Sequence, residues 1–130
     1  MNEPIFLTLD EVLAIHAEQI RRYGGASGIR DLSLLSSAMA MPETTYDGEY
    51  LHGNDFEMAA AYLFHIARKH PFFDGNKRTA LMSALVFLGL NGQRLEAEPD
   101  SLYELVDGVA AGSADKSRVA VFIREHCEDR

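Results

Sequence analysis

Tryptophan is absent from this 130-residue chain, cysteine occurs once, as Cys127, and proline four times. A lone cysteine excludes a disulfide within the chain, so the fold must rest on its apolar core, as proteins of a reducing cytosol do. No apolar run approaches the ~20 residues that a membrane-spanning helix needs, so no membrane segment is expected. The start, Asn2-Glu3-Pro4, lacks the basic residues of a secretory signal, and the apolar run after it is short; a cytoplasmic location is the expectation. Basic residues are in the minority: 12 Lys and Arg stand against 20 Asp and Glu, a net charge of −8. That deficit argues against a broad basic face for nucleic acid. It leaves room for a local positive pocket built from Arg68, Lys69, Lys77 and Arg78. Repeats, low-complexity tracts and linkers are also missing. What remains, 47% apolar and 25% charged residues, is the composition of one globular domain spanning residues 1–130.

The local signals are helical. Thr8 and Glu11 have the spacing of a capping box, and Val12, Ile15, His16, Gln19 and Tyr23 then recur on one face up to Gly24. His16 on that face is expected to be a half-buried, satisfied histidine. Gly24 to Gly28 is a flexible connection with two readings, a segment that approaches a nucleotide or a plain loop. Asp31 predicts the cap of a second helix, which must stop near Met41 because Pro42 follows. Pro42 to Asn54 reads as a long loop, a candidate flap over a site. Asn54 and Glu57 pair as a further cap for a helix over Phe56–Lys69 that is apolar on most sides and therefore buried. His65 within it reads as structural. Another apolar helix runs from Asn76 or Lys77 to Leu90 and stops at Asn91-Gly92. Two more follow, one starting at Pro99-Asp100-Ser101, capped by Asp100 or Ser101 and closed by Gly112, the other over Lys116–His126. Gln93 to Ala97 has extended character but predicts no sheet. The fold class is all-α: about six helices, with a loop of unusual composition between the two central ones.

That loop, His70-Pro71-Phe72-Phe73-Asp74-Gly75-Asn76-Lys77-Arg78, carries the chemistry. Gly75-Asn76 is turn material. The helix that starts there offers unpaired N–H groups and the positive end of its dipole, a setting for anions. Lys77 and Arg78 add cations at the end where cations oppose the dipole; an anion such as a polyphosphate resolves that mismatch. Asp74 supplies a hard oxygen for Mg²⁺, and His70 can take a proton from a hydroxyl near neutral pH. Base, metal ligand and phosphate cradle are the parts of phosphoryl or nucleotidyl transfer. The competing reading is an ordinary surface turn. Phe72 and Phe73 argue against it, because a solvent turn needs no apolar anchor.

These residues resemble the active-site motif of the Fic/Doc family. The usual Fic form is H-x-F-x-[D/E]-G-N-G-R-x-x-R, and the chain departs from it at Lys77 and Leu81. Both departures are similar to the Doc, or death-on-curing, branch, with H-x-F-x-D-[A/G]-N-K-R. Arg22-Tyr23-Gly24-Gly25 followed by Gly28 extends the likeness to the N-terminal part. The resemblance implies a compact Fic/Doc-like bundle with His70 as general base, Asp74 as Mg²⁺ ligand, and Gly75, Asn76, Lys77 and Arg78 as phosphate contacts. It also implies Phe72 as loop anchor, with Arg68 as an extra phosphate contact. It implies ATP as substrate and transfer of its γ-phosphate to a threonine of elongation factor Tu, which would arrest translation. A cognate, Phd-like antitoxin is implied as neutralising partner. The inhibitory helix of many Fic proteins, [S/T]-x-x-x-E-[G/N], has only an imperfect counterpart, Thr45 to Glu49 followed by Tyr50. The alternatives are AMP transfer to a protein hydroxyl, which Lys77 and Leu81 disfavour, and a catalytically silent binding module.

Overall fold

The structure, a computed structural model, describes residues 3–129. Its described residues form six α-helices with short extended pairings between them. Helix α1 (Leu9–Tyr23) starts at the expected capping box: Thr8 Oγ1 accepts from the Glu11 amide at 3.1 Å, and Glu11 Oε1 accepts from the Thr8 amide at 2.8 Å. Helix α2 (Leu32–Ala40) is capped by Asp31, whose carboxylate accepts from the Leu34 amide at 3.1 Å. Helix α3 (Asp55–Lys69) is capped by Asn54, and α4 (Asn76–Leu90) follows after residues 70–75. The last two helices are α5 (Pro99–Ala111) and α6 (Lys116–His126).

Helix α3 is the centre, packed against α2, α4, α5 and α6. Ala59, Ala60 and Ala61 are fully buried, and such small side chains let neighbouring helices approach closely. Among the buried residues of this helix, Tyr62 carries the one polar side chain. Its hydroxyl accepts from the Leu7 amide at 2.9 Å, and its ring packs on Phe87 with centroids 5.3 Å apart. Burial pushes the phenol up to about 12.

Three features differ from the sequence expectation. The segment after α2 is not plain loop: Met41–Glu43 forms one 3-10 turn, and β1 (Thr45–Tyr46) pairs antiparallel with β2 (Glu49–Tyr50). Gln93–Leu95 is a strand, β3, antiparallel to β4 (Cys127–Asp129). Its partner lies far downstream, so nothing local in the sequence announces it. Helix α5 begins at Pro99 with Glu98 in the cap position, ahead of the expected Asp100 or Ser101, because proline is suited to the first helical position.

Candidate active site

Between α3 and α4 the backbone is held at almost every residue. His70 ends α3 in the left-handed conformation, φ 49° and ψ 57°. For a residue with a Cβ this costs on the order of 1–3 kcal/mol. Arg30 supports it: Nε donates to the His70 carbonyl at 2.8 Å and Nη2 to that of Lys69 at 3.0 Å. The Pro71 carbonyl accepts from the amides of Arg30 (2.7 Å) and Asp31 (3.0 Å), and Ile29 bridges antiparallel to Phe72. Phe72 is buried under α1, its ring 3.8 Å from that of His16 and nearly parallel to it. The Asn76 side chain closes the loop: Oδ1 accepts from the Phe72 amide at 2.9 Å and Nδ2 donates to the Phe72 carbonyl at 3.0 Å.

Helix α4 then starts with no side-chain cap. Gly75 takes the cap position at φ 79°, and no acidic residue lies in the first turn. The first amides of such a helix have no partner within it. Lys77 and Arg78 stand in this turn, each with a partner elsewhere. Lys77 Nζ lies 2.9 Å from Asp107 Oδ1 on α5, and the Arg78 guanidinium lies 4.3 Å from the centroid of the Tyr23 ring.

An open cavity of about 460 Å³ lies against this helix end, within the size range of small-ligand sites. One wall is the motif, from His70 through Asp74 to Arg78; the other is Leu81 with Tyr103, Val106 and Asp107 of α5. The structure thus brings His70, Asp74, Gly75, Asn76, Lys77 and Arg78 to one cavity. Asp74 is exposed there, with Oδ2 accepting from the Ala26 amide at 2.6 Å. No protein donor is found at its other oxygen among the described residues. Mg²⁺ that travels with phosphates needs only one or two protein carboxylates. Asp74 fits that role. Among the described residues no group of three His, Cys, Asp or Glu could hold a metal by itself.

Several sequence expectations change. Arg68 does not line the cavity: its Nη1 donates to the Val109 carbonyl at 3.3 Å, at the C-terminal end of α5. The Asn76 side chain is occupied by Phe72, so the group that Asn76 can offer an anion is its backbone N–H. Of the two phenylalanines, Phe72 is the anchor, while Phe73 is 58% exposed at the cavity rim. The segment 42–54 supplies no cavity residue. It sits by the start of α3, and a 15-residue helix separates its two ends by about 22 Å. Thr45 to Glu49 therefore falls in a hairpin away from the cavity, not in an inhibitory helix.

Two contributors were missed by sequence reasoning. The glycine segment lies against the motif and supplies no cavity residue. Gly25, at φ 110°, lies so close that a Cβ there would come within 3.0 Å of the Asp74 Cβ. His16 is the other: its Nε2 lies 2.8 Å from the Asp74 carbonyl. The cluster of glycines was the available signal, but only the motif loop folded against it reveals its use.

Comparison with known proteins agrees with this geometry. A family model described as "Fic/DOC family" matches residues 6–88. The chain is 38% identical over 115 residues to "Protein kinase doc" of Escherichia phage P1, covering 88% of this chain and 90% of that protein. It is also 38% identical over 100 residues to "Toxin Doc" of Mycolicibacterium smegmatis (strain ATCC 700084 / mc(2)155), covering 75% and 77% respectively.

Proposed function

The chain belongs to the Fic/Doc family, in its Doc branch, and on that premise we propose that it is a toxin kinase that transfers the γ-phosphate of ATP to a threonine of elongation factor Tu. The observation that carries this reading is the uncapped start of α4, where Lys77 and Arg78 face the same cavity as His70 and Asp74. The phosphates lie against the first amides of α4, from Asn76 onward, where the dipole and two cations offset their charge. His70 takes the proton of the threonine hydroxyl. The freed oxygen bonds to the γ-phosphorus as the bond from that phosphorus to the β–γ bridging oxygen breaks, and ADP leaves with that electron pair. Mg²⁺, held by Asp74 together with the phosphates, supplies charge neutralisation when bound. The apolar rim of Phe73 and Tyr103 borders the path by which a protein segment reaches His70.

AMP transfer is the second reading, and one observation favours it. Lys77 is drawn aside to Asp107, so in this state its side chain does not fill the space that a glycine would leave. Two ATP labels separate the readings, one on the γ- and one on the α-phosphate, with elongation factor Tu as acceptor. Label from the γ position alone is expected. Label from the α position overturns the kinase reading. His70→Ala should remove transfer by about 10²–10⁴-fold while the fold remains; unchanged toxicity in that variant would mean a binding module.

No helix among the described residues is long and apolar enough to cross a membrane, and the proposed targets are cytoplasmic. A cognate, Phd-like antitoxin is the proposed partner. Expression of the chain alone should arrest growth, and co-expression with the antitoxin should restore it.

A further inference from the structure

We propose that His16 is a positioning residue of this site: its Nε2–H fixes the Asp74 carbonyl and, through that peptide, both the Asp74 carboxylate and the entry into α4. The inference rests on the reading of the cavity as a transfer site. His16 lies on α1, outside the motif, and is 5% exposed. Its Nε2 is 2.8 Å from the Asp74 carbonyl oxygen. A carbonyl only accepts, so Nε2 carries the ring proton in this arrangement and the tautomer follows from the geometry.

Three motif residues meet this one ring. Phe72 stacks on it at 3.8 Å with planes 6° apart. Asp74 bonds to it. At Gly75 a Cβ would lie 3.6 Å from its Cδ2 and Nε2. The Asp74 carbonyl and the Gly75 N–H share one planar trans peptide. Holding the carbonyl toward α1 therefore turns that N–H to the opposite side. Asp74 is then pinned twice, at its carbonyl by His16 and at Oδ2 by the Ala26 amide. Its remaining oxygen is oriented without touching a third protein donor. Core packing alone would not select histidine here. A phenylalanine would fill the space and stack equally well, with no polar group to desolvate.

Two variants divide the ring from the proton. His16→Phe keeps a ring against Phe72 and loses the donor; His16→Gln keeps a donor and loses the ring. A positioning role predicts that kcat for transfer falls at least about tenfold in His16→Phe, with His16→Gln the more active of the two and the melting temperature of His16→Phe no lower than that of His16→Gln. A packing role predicts the reverse order of activity, and that order would overturn the proposal. Amide exchange provides a readout independent of turnover. The Ala26 amide should exchange at least about tenfold faster in His16→Phe and should be unaffected by His70→Ala. Unchanged Ala26 protection in a folded His16→Phe would refute the role. The wild-type protein covers the case in which a variant does not fold: nitrogen NMR of the His16 ring near neutral pH should find the proton on Nε2, and an Nδ1–H tautomer ends the proposal. Absence of transfer by the wild type would sink the reading of the site, while the exchange and tautomer results would still decide what His16 does.

Discussion

Helices α3 and α4 are both 15 residues long and both central, yet they begin in opposite ways. Helix α3 follows every rule for a stable start. Asn54 caps it, Asp55 and Glu57 stand in its first turn, and Arg68 and Lys69 stand in its last. Helix α4 opens on a glycine, has no acid in its first turn, and places Lys77 and Arg78 at the positive end of its dipole. The irregularity is confined to that end. At the other, Asn91 Nδ2 donates to the Phe87 carbonyl at 2.8 Å and to that of Ile5 at 2.9 Å. A sequence able to cap α3 and close α4 could have capped the start of α4. Where a helix start lacks both a side-chain cap and a first-turn acid, and lies against a cavity, function is the expected cause. The contrast marks the start of α4 as the candidate anion site independently of any motif.

The largest stability effect should come from the anchor between the two helices. Phe72 is 1% exposed and Phe73 is 58% exposed, one residue apart. Phe72→Ala should cost about 3–5 kcal/mol, measured by urea unfolding, a large share of the ~5–15 kcal/mol typical of a domain. Phe73→Ala should change stability by no more than about 0.5 kcal/mol. Equal losses would mean that the loop is not pinned through Phe72.

This contrast also explains what was legible. Helix ends are written in adjacent residues, so Thr8 with Glu11, Asp31, and Asn54 with Glu57 could be read without a fold. The motif likewise lies in one stretch. The uses of His16, Gly25 and Arg68 depend on what another element brings beside them. A buried polar histidine on an apolar face reads as filler until the Asp74 carbonyl is seen opposite. Arg68 looked available because nothing near it in sequence reveals the end of α5. The β3–β4 pairing was hidden for the same reason.

A second test concerns the body of α3. Burial, followed by the charges of Lys116 and Lys69 and the nearby His52, holds His65 down to about 4 from its usual 6.5. Lys116 Nζ lies 3.1 Å from His65 Nε2, facing it from α6. The folded value is below the unfolded one, so the unfolded chain binds the extra proton first. The contribution is fully present above about pH 6.5 and is lost as pH falls toward 4. Thermal melts across that window should decline in the wild type and decline less in His65→Gln. Parallel curves would remove His65 as a cause.

The smaller effects separate the two helix starts. Asn54→Ala should cost about 1 kcal/mol, seen as a melting point lower by about 3–5 °C, and should leave ATP affinity as it was. If that variant lost nucleotide binding, the division between a structural and a functional helix start would fail.

The sharpest test has the smallest effect on stability. Lys77→Gln removes a cation that opposes the α4 dipole, a gain of about 0.3–1 kcal/mol. It also removes the ion pair with Asp107, whose partners are 54% and 62% exposed and which contributes about 0–1 kcal/mol. These terms have opposite sign and similar size, so unfolding should shift by no more than about 0.5 kcal/mol. ATP binding, followed by calorimetry, should weaken clearly, because the lysine answers to a ligand and not to the fold. A variant that unfolds as the wild type does but binds ATP poorly would place Lys77 wholly on the functional side. If Lys77→Gln bound ATP as well as the wild type, the ion pair with Asp107 would be the side chain's real role. The anion site would then rest on the α4 amides and Arg78.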